Sequence, residues 1–178
     1  MAGTLIMLRG NSGSGKTTVA KALQEKFGRN TMRISQDVVR REMLKVTDGP
    51  DTKALPLLQE LLRYGAAHSP VVILEGILNA EWYAPLFQTA KETFGDHIYA
   101  YYYDLPFEET LKRHQTKPNR HEFGEAAMRS WWVEQDYIGF LPEQTLSSDM
   151  GLEETVEMIY AVVTADIRTF SWDTPQEV

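Results

Sequence analysis

"TLIMLRGNSGSGKTTVAKALQEKFG", residues 4–28, joins an unbroken apolar run to a glycine-rich turn and then to a second apolar pattern of longer period. The run TLIMLRG (4–10) is strand-length and lacks polar alternation, as expected of a strand covered on both faces. From Lys16 onward, Val19, Ala20, Leu23 and Phe27 repeat at helical spacing, and Gly28 stops the pattern. Between the two lies GNSGSGKT, in which Gly10, Gly15, Lys16 and Thr17 complete G-x-x-x-x-G-K-[ST]. A glycine-rich turn can match such a pattern by chance; a match set between a buried strand and an amphipathic helix is far more specific. Glycines let the backbone turn tightly so that successive N–H groups point inward around an anion. The helix beginning near Lys16 adds its positive end to the same point. Lys16 is expected to reach β- and γ-phosphates, and Thr17 Oγ1 to complete a magnesium shell. Asn11, Ser12, Gly13 and Ser14 form the rest of the nucleotide-binding loop. Thr18 joins this candidate set, although packing in the first helical turn also accounts for it.

Working outward, apolar strands and helical stretches alternate. TMRIS (31–35) reads as a short strand, DVVRREMLK (37–45) as a helix, and residues 51–68 as helical after Pro56. PVVILEG (70–76) is a second clear buried strand, followed by an amphipathic helix in residues 81–95. HIYAYYYDL (97–105) is β-prone by its aromatics, with the facing of its side chains left open. PFEETLKRHQ (106–115) is helical, and a polar link (116–124) leads into residues 125–140, where Arg129 sits in a further helix. A short strand near QTLSS (144–148) precedes a closing helix at 152–167. This alternation predicts an α/β fold, a mostly parallel sheet with helices on both faces.

The chain has 178 residues, 43% of them hydrophobic, enough for one core and therefore one domain. Its formal charge of −7 gives no global basic field for coating nucleic acid, but leaves a local nucleotide site open. With no cysteine, disulfide scaffolds and thiolate metal sites are excluded. No apolar run approaches the roughly twenty residues of a membrane span, and no basic region precedes the first strand as in a signal peptide. The expected location is the cytoplasm.

If a bound phosphate is to be transferred, the transferring groups should lie on loops leaving the carboxyl ends of the strands. Asp37, in ISQDVVRR (34–41), is placed there as a base for an acceptor hydroxyl, and a helix-capping role competes with that reading. Arg40, about one turn from Asp37, is favoured over Arg41 for gripping the acceptor. Glu75, at the end of VVILEG, can hold magnesium-bound water or a substrate hydroxyl, or simply order the next turn. Arg113, Arg120 and Arg129 can bring positive charge over a triphosphate as a lid closes, the alternative being a solvated basic segment. The histidines, at 68, 97, 114 and 121, show no metal-ligand spacing.

In GNSGSGKTT, SQDVVRREM and the stretch from DLPFEETLKRHQTKPNR to AAMRSWW, the chain resembles the P-loop kinases, close to the adenylate-kinase-like small-molecule kinases and polynucleotide 5′-hydroxyl kinase domains. The resemblance covers about residues 4–168 and implies a five-stranded parallel sheet in the order 2-3-1-4-5, flanked by helices in a three-layer P-loop NTP-binding fold with a helical lid. It implies ATP with Mg2+ as cofactors, transfer of the γ-phosphoryl group to a hydroxyl, Asp37 as base, Arg40 on the acceptor, and lid roles for Arg113, Arg120 and Arg129. Adenine would lie near residues 147–153. The expected organisation is a single domain over 1–170, a lid segment at about 112–130 and an exposed tail at 171–178. The acidic total disfavours a long polynucleotide without excluding one and favours a small molecule or short nucleotide as acceptor, with polynucleotide 5′-hydroxyl kinase as an alternative and the protein a monomer or homodimer. A regulatory nucleotide switch or NTP hydrolase is the competing class, as is a nucleotide-binding scaffold without chemistry. The chain carries neither the N-K-x-D nor the D-x-x-G motif of a GTPase.

Overall fold

The computed structural model describes residues 3–116, 121 and 124–169. Five strands form one parallel sheet: β1 (Thr4–Gly10), β2 (Thr31–Ser35), β3 (Val71–Gly76), β4 (Ile98–Tyr103) and β5 (Glu143–Leu146). Their spatial order is β2-β3-β1-β4-β5, the order implied by the family resemblance. The helices are α1 (Lys16–Phe27), α2 (Ala54–His68), α3 (Ala84–Phe94), α4 (Phe107–Gln115), α5 (Glu125–Ser130) and α6 (Leu152–Thr169).

The unbroken apolar run of β1 has a simple cause. Successive side chains leave opposite faces of a strand, and helices cover both faces. Leu5 and Met7 join a core with Leu58, Leu62, Leu86 and Phe87 from α2 and α3. Ile6 and Leu8 join another with Val19 and Leu23 from α1 and Ile159 and Val163 from α6. The facing left open for β4 resolves the same way: Ala100 lies in the first core, Tyr101 and Tyr103 in the second.

Three local expectations are corrected. The helix after Pro56 begins at Ala54, so the proline is its third residue and still sits in the first turn, where its missing N–H costs nothing. The segment over 37–45 is π-helical across Val38–Met43. In residues 125–140 only Glu125–Ser130 is helical, and the remainder spends its polar groups on distant partners described below. The predicted tail and most of the polar link lie outside the described residues. Among the described residues no helix is long and apolar enough to cross a membrane.

Candidate active site

The phosphate loop leaves the end of β1 and enters α1 with φ of 141°, 84° and 98° at Gly10, Gly13 and Gly15. Gly13 shows why the sequence needs a glycine there: a Cβ would stand 2.5 Å from the carbonyl oxygen of Thr110, so α4 closes directly onto the loop. Gly13→Ala combines that clash with a left-handed backbone, at a cost of about 1–3 kcal/mol. The expected result is a melting temperature lower by several degrees together with weaker ATP binding, read by calorimetry. A variant with unchanged melting and affinity would show that α4 yields freely.

Lys16 is buried, and its ammonium donates to the Asn11 carbonyl at 2.8 Å and to Ser14 Oγ at 2.9 Å. The charge is thereby folded back over the concave side of the loop. Thr17 Oγ1 donates to Glu75 Oε2 at 3.1 Å. Glu75 is 2% exposed, and its Oε1 has no hydrogen-bond partner among the described residues, with the Arg33 guanidinium 3.8 Å away. Arg33 offsets part of the charge, but the buried oxygen still lacks a hydrogen bond, which a ligand, a water or a metal ion can complete. A left-handed loop, a lysine and a Thr–Glu pair with a spare oxygen therefore fit a nucleotide carrying magnesium. No group of three metal-ligating side chains occurs among the described residues. A magnesium ion bound with a nucleotide is held mainly by phosphate oxygens and water, with one or two protein oxygens.

Other candidates fall into separate groups. Arg113 Nη1 donates to the Ser14 carbonyl at 3.1 Å and its Nε to Glu109 at 2.8 Å, so this arginine leans on the phosphate loop. Its Nη2 reaches the Ser148 carbonyl at 3.4 Å, in the loop where adenine is expected. Asp37 and Arg40 pair with each other at 2.9 Å. Asp37 makes no side-chain cap, its backbone being already helical, so the capping account of this residue does not hold geometrically. Arg129 is not brought to the loop; it pairs with Glu125 at 3.0 Å and lies over the Phe107 ring at 4.0 Å. Ser12 is half-buried in the loop, Thr18 is exposed on the first turn of α1, and Arg120 lies outside the described residues.

Sequence reading missed what braces the loop. The Asn11 side chain donates to the Val133 carbonyl at 2.7 Å and accepts from the Val133 N–H at 3.1 Å, a two-way bond that fastens residues 131–135 to the loop. Arg9, one residue before the loop, is completely buried. It binds Glu143 at 2.7 Å and Asp136 at 3.0 Å, and donates twice to the Leu78 carbonyl. A lone charge in an apolar strand was the visible signal, since such a charge must have partners.

The comparisons with known proteins agree with this fold. A family model described as an AAA domain matches residues 5–134. The chain belongs to the AAA domain family. No curated protein sequence matches this AAA domain. Among solved structures, a gluconokinase from Sinorhizobium meliloti 1021 superposes with a TM-score of 0.68 at 16% identity, covering 95% of each chain. The Mycobacterium tuberculosis APS kinase in complex with AMPPNP and APS gives 0.64 at 16% identity, over 92% of this chain and 98% of that one. Shikimate kinase from Acinetobacter baumannii in complex with shikimate gives 0.61 at 21% identity, over 92% and 94%. At these identities the likeness establishes that the chain has the P-loop kinase fold.

Proposed function

We propose that the protein is an ATP-dependent kinase that transfers the γ-phosphoryl group to a hydroxyl of a small molecule or short nucleotide. The observation that carries this reading is the junction at the end of β3, where buried Glu75 meets Thr17 beside the glycine loop and keeps one oxygen without a hydrogen bond among the described residues. The kinases that share the fold support it, as does the Asp37–Arg40 pair at the exit of the adjacent strand β2.

In this reading Lys16 and the loop amides hold the phosphates, while Thr17 and Glu75 would hold a magnesium ion, which when bound would neutralise charge on the phosphate oxygens. Asp37 accepts the proton of the acceptor hydroxyl as its oxygen bonds to the γ-phosphorus and the bond to the ADP oxygen breaks. Arg40 steadies both the carboxylate and the acceptor. Arg113, tied to the loop, contributes positive charge where negative density grows on the migrating group.

Labelled ATP offered with a panel of nucleosides, short 5′-hydroxyl oligonucleotides, sugars and other polyols is expected to give one class of phosphorylated product and ADP released in step with it. Asp37→Asn should lower the saturated transfer rate by about 10²–10⁴-fold, the usual scale for a positioned base, with ATP affinity unchanged. ATP hydrolysis indifferent to every acceptor would favour a switch or hydrolase instead.

A further inference from the structure

At the end of β2, beside Asp37, a buried amide is locked in one orientation. Gln36 is 1% exposed. Its Nε2 donates to Asp48 Oδ2 at 3.0 Å and to the Tyr83 hydroxyl at 2.9 Å. The Tyr83 proton is committed in turn, to Asp48 Oδ1 at 2.6 Å. Rotating the amide by half a turn would set its oxygen against a carboxylate, so the assignment of N and O is fixed by chemistry. Burial first, and then the bond to Asp48, push the Tyr83 hydroxyl well above its ordinary pKa, so it stays a proton donor.

The consequence is on the other side of the amide. Gln36 Oε1 is buried and has no hydrogen-bond partner among the described residues, and the same holds for Arg40 Nε. Gly76 leaves room for the amide: a Cβ there would lie 2.6 Å from Gln36 Cβ and 3.1 Å from its Oε1. Glu75, the next residue back, lies level with Ser35 in the β2–β3 register and touches Thr17. The amide oxygen needing a donor thus belongs to the residue before Asp37, and the guanidinium N–H needing an acceptor belongs to Arg40, the partner of Asp37. Leaving such buried atoms without a hydrogen bond is costly, a cost a ligand with both kinds of group would remove.

We infer that Gln36, held by Asp48 and Tyr83, is a specificity residue that reads a second hydroxyl of the acceptor, which makes the acceptor a polyol: one hydroxyl is phosphorylated, and a neighbouring O–H donates to Gln36 Oε1 while an acceptor oxygen meets Arg40. The inference rests on the kinase reading and deepens it by naming the substrate class. A single-hydroxyl acceptor leaves the amide oxygen unmatched and is discriminated against, as sites built to bond a substrate hydroxyl reject analogues lacking it.

The test is steady-state ADP release from the full chain with glycerol, erythritol, inositol and gluconate, each compared with analogues lacking one hydroxyl. With the best polyol, Gln36→Met should raise the acceptor KM at least tenfold and leave the ATP KM unchanged. With the analogue lacking the recognised hydroxyl the same substitution should change nothing, so the two losses do not add. Asp48→Asn, at an exposed position, frees the amide to rotate and should give the same acceptor-specific pattern more weakly, which keeps the test open if the methionine variant does not fold. Turnover on a polyol that is indifferent to both substitutions, or additive losses, would overturn the role of Gln36 and leave the kinase standing. Turnover only on single-hydroxyl acceptors would do the same. No acceptor-dependent ADP in the wild type would overturn the kinase reading and this inference with it.

Discussion

Lys16→Met is expected to cut phosphoryl transfer by about 10²–10³-fold, the scale on which preorganised charge at a transition state is lost, in a protein that remains folded. The reasoning begins with how the side chain is held. Lys16 is 7% exposed, and its ammonium bonds the Asn11 carbonyl and Ser14 Oγ, both oxygens of the loop that it serves. The cation is therefore positioned before any phosphate arrives and needs little reorganisation as charge grows during transfer. Methionine matches the stem in length and leaves those two oxygens without their donor, so some loosening of the loop accompanies the loss of charge. Lys16→Arg separates the two effects: it keeps the charge but sets a planar fork in a space shaped for a point donor. If loop geometry dominated, both variants would lose ATP binding alike. If charge dominates, arginine retains the larger share of nucleotide affinity, and methionine loses turnover beyond its loss in affinity. Titration with a nonhydrolysable ATP analogue beside saturated rates distinguishes the two. A folded Lys16→Met protein with normal acceptor-dependent turnover would remove Lys16 from the chemistry.

How much of this was legible in the sequence follows from the range of the interactions. The phosphate loop is local: strand, turn and helix are consecutive, so the pattern from Gly10 to Thr17 carried its own context. The parallel sheet was legible for a related reason, because continuous apolar runs and helical stripes both report burial by short-range periodicity. The π-helical turn over Val38–Met43 was not, since a segment of six residues gives too few repeats to tell one helical period from another. Residues 131–140 were illegible for a different reason. Their fold is set by bonds from Val133 to Asn11, from Asp136 to Arg9 and from the Ile138 N–H to Glu143, and no local propensity encodes those. The Gln36 network likewise joins positions 12 and 47 residues apart. Glu75 stood between: its place at a strand end was readable, its contact with Thr17 was not.

Arg9 carries the largest expected effect on stability. Its guanidinium, wholly buried, joins Glu143 at the start of β5, Asp136 in the segment after α5 and the Leu78 carbonyl after β3, with Phe87 and Tyr102 rings 5.0 and 5.6 Å away. Those partners are themselves committed, Asp136 accepting from the Ala80 N–H at 2.8 Å and Glu143 from the Ile138 N–H at 2.7 Å. One side chain thus fixes three connections around the end of the central strand. Arg9→Met removes the cation and leaves the Asp136 and Glu143 carboxylates without their counter-charge, so a loss of about 3–5 kcal/mol is expected, as when one partner of a buried pair is deleted. At roughly 2–4 °C per kcal/mol for a chain of this size, the melting temperature should fall by about 6–20 °C. Arg9→Lys keeps a charge but cannot serve both carboxylates and a carbonyl in one plane, and should recover only part of the loss. The decisive measurement is a cycle with Glu143→Gln. Neutralising that carboxylate should cost clearly less in the Arg9→Met background than in the wild type, because its counter-charge is already gone. Equal costs in both backgrounds would mean that Arg9 stabilises the protein by packing on its aromatic neighbours, and the ion-pair account of the brace would fail.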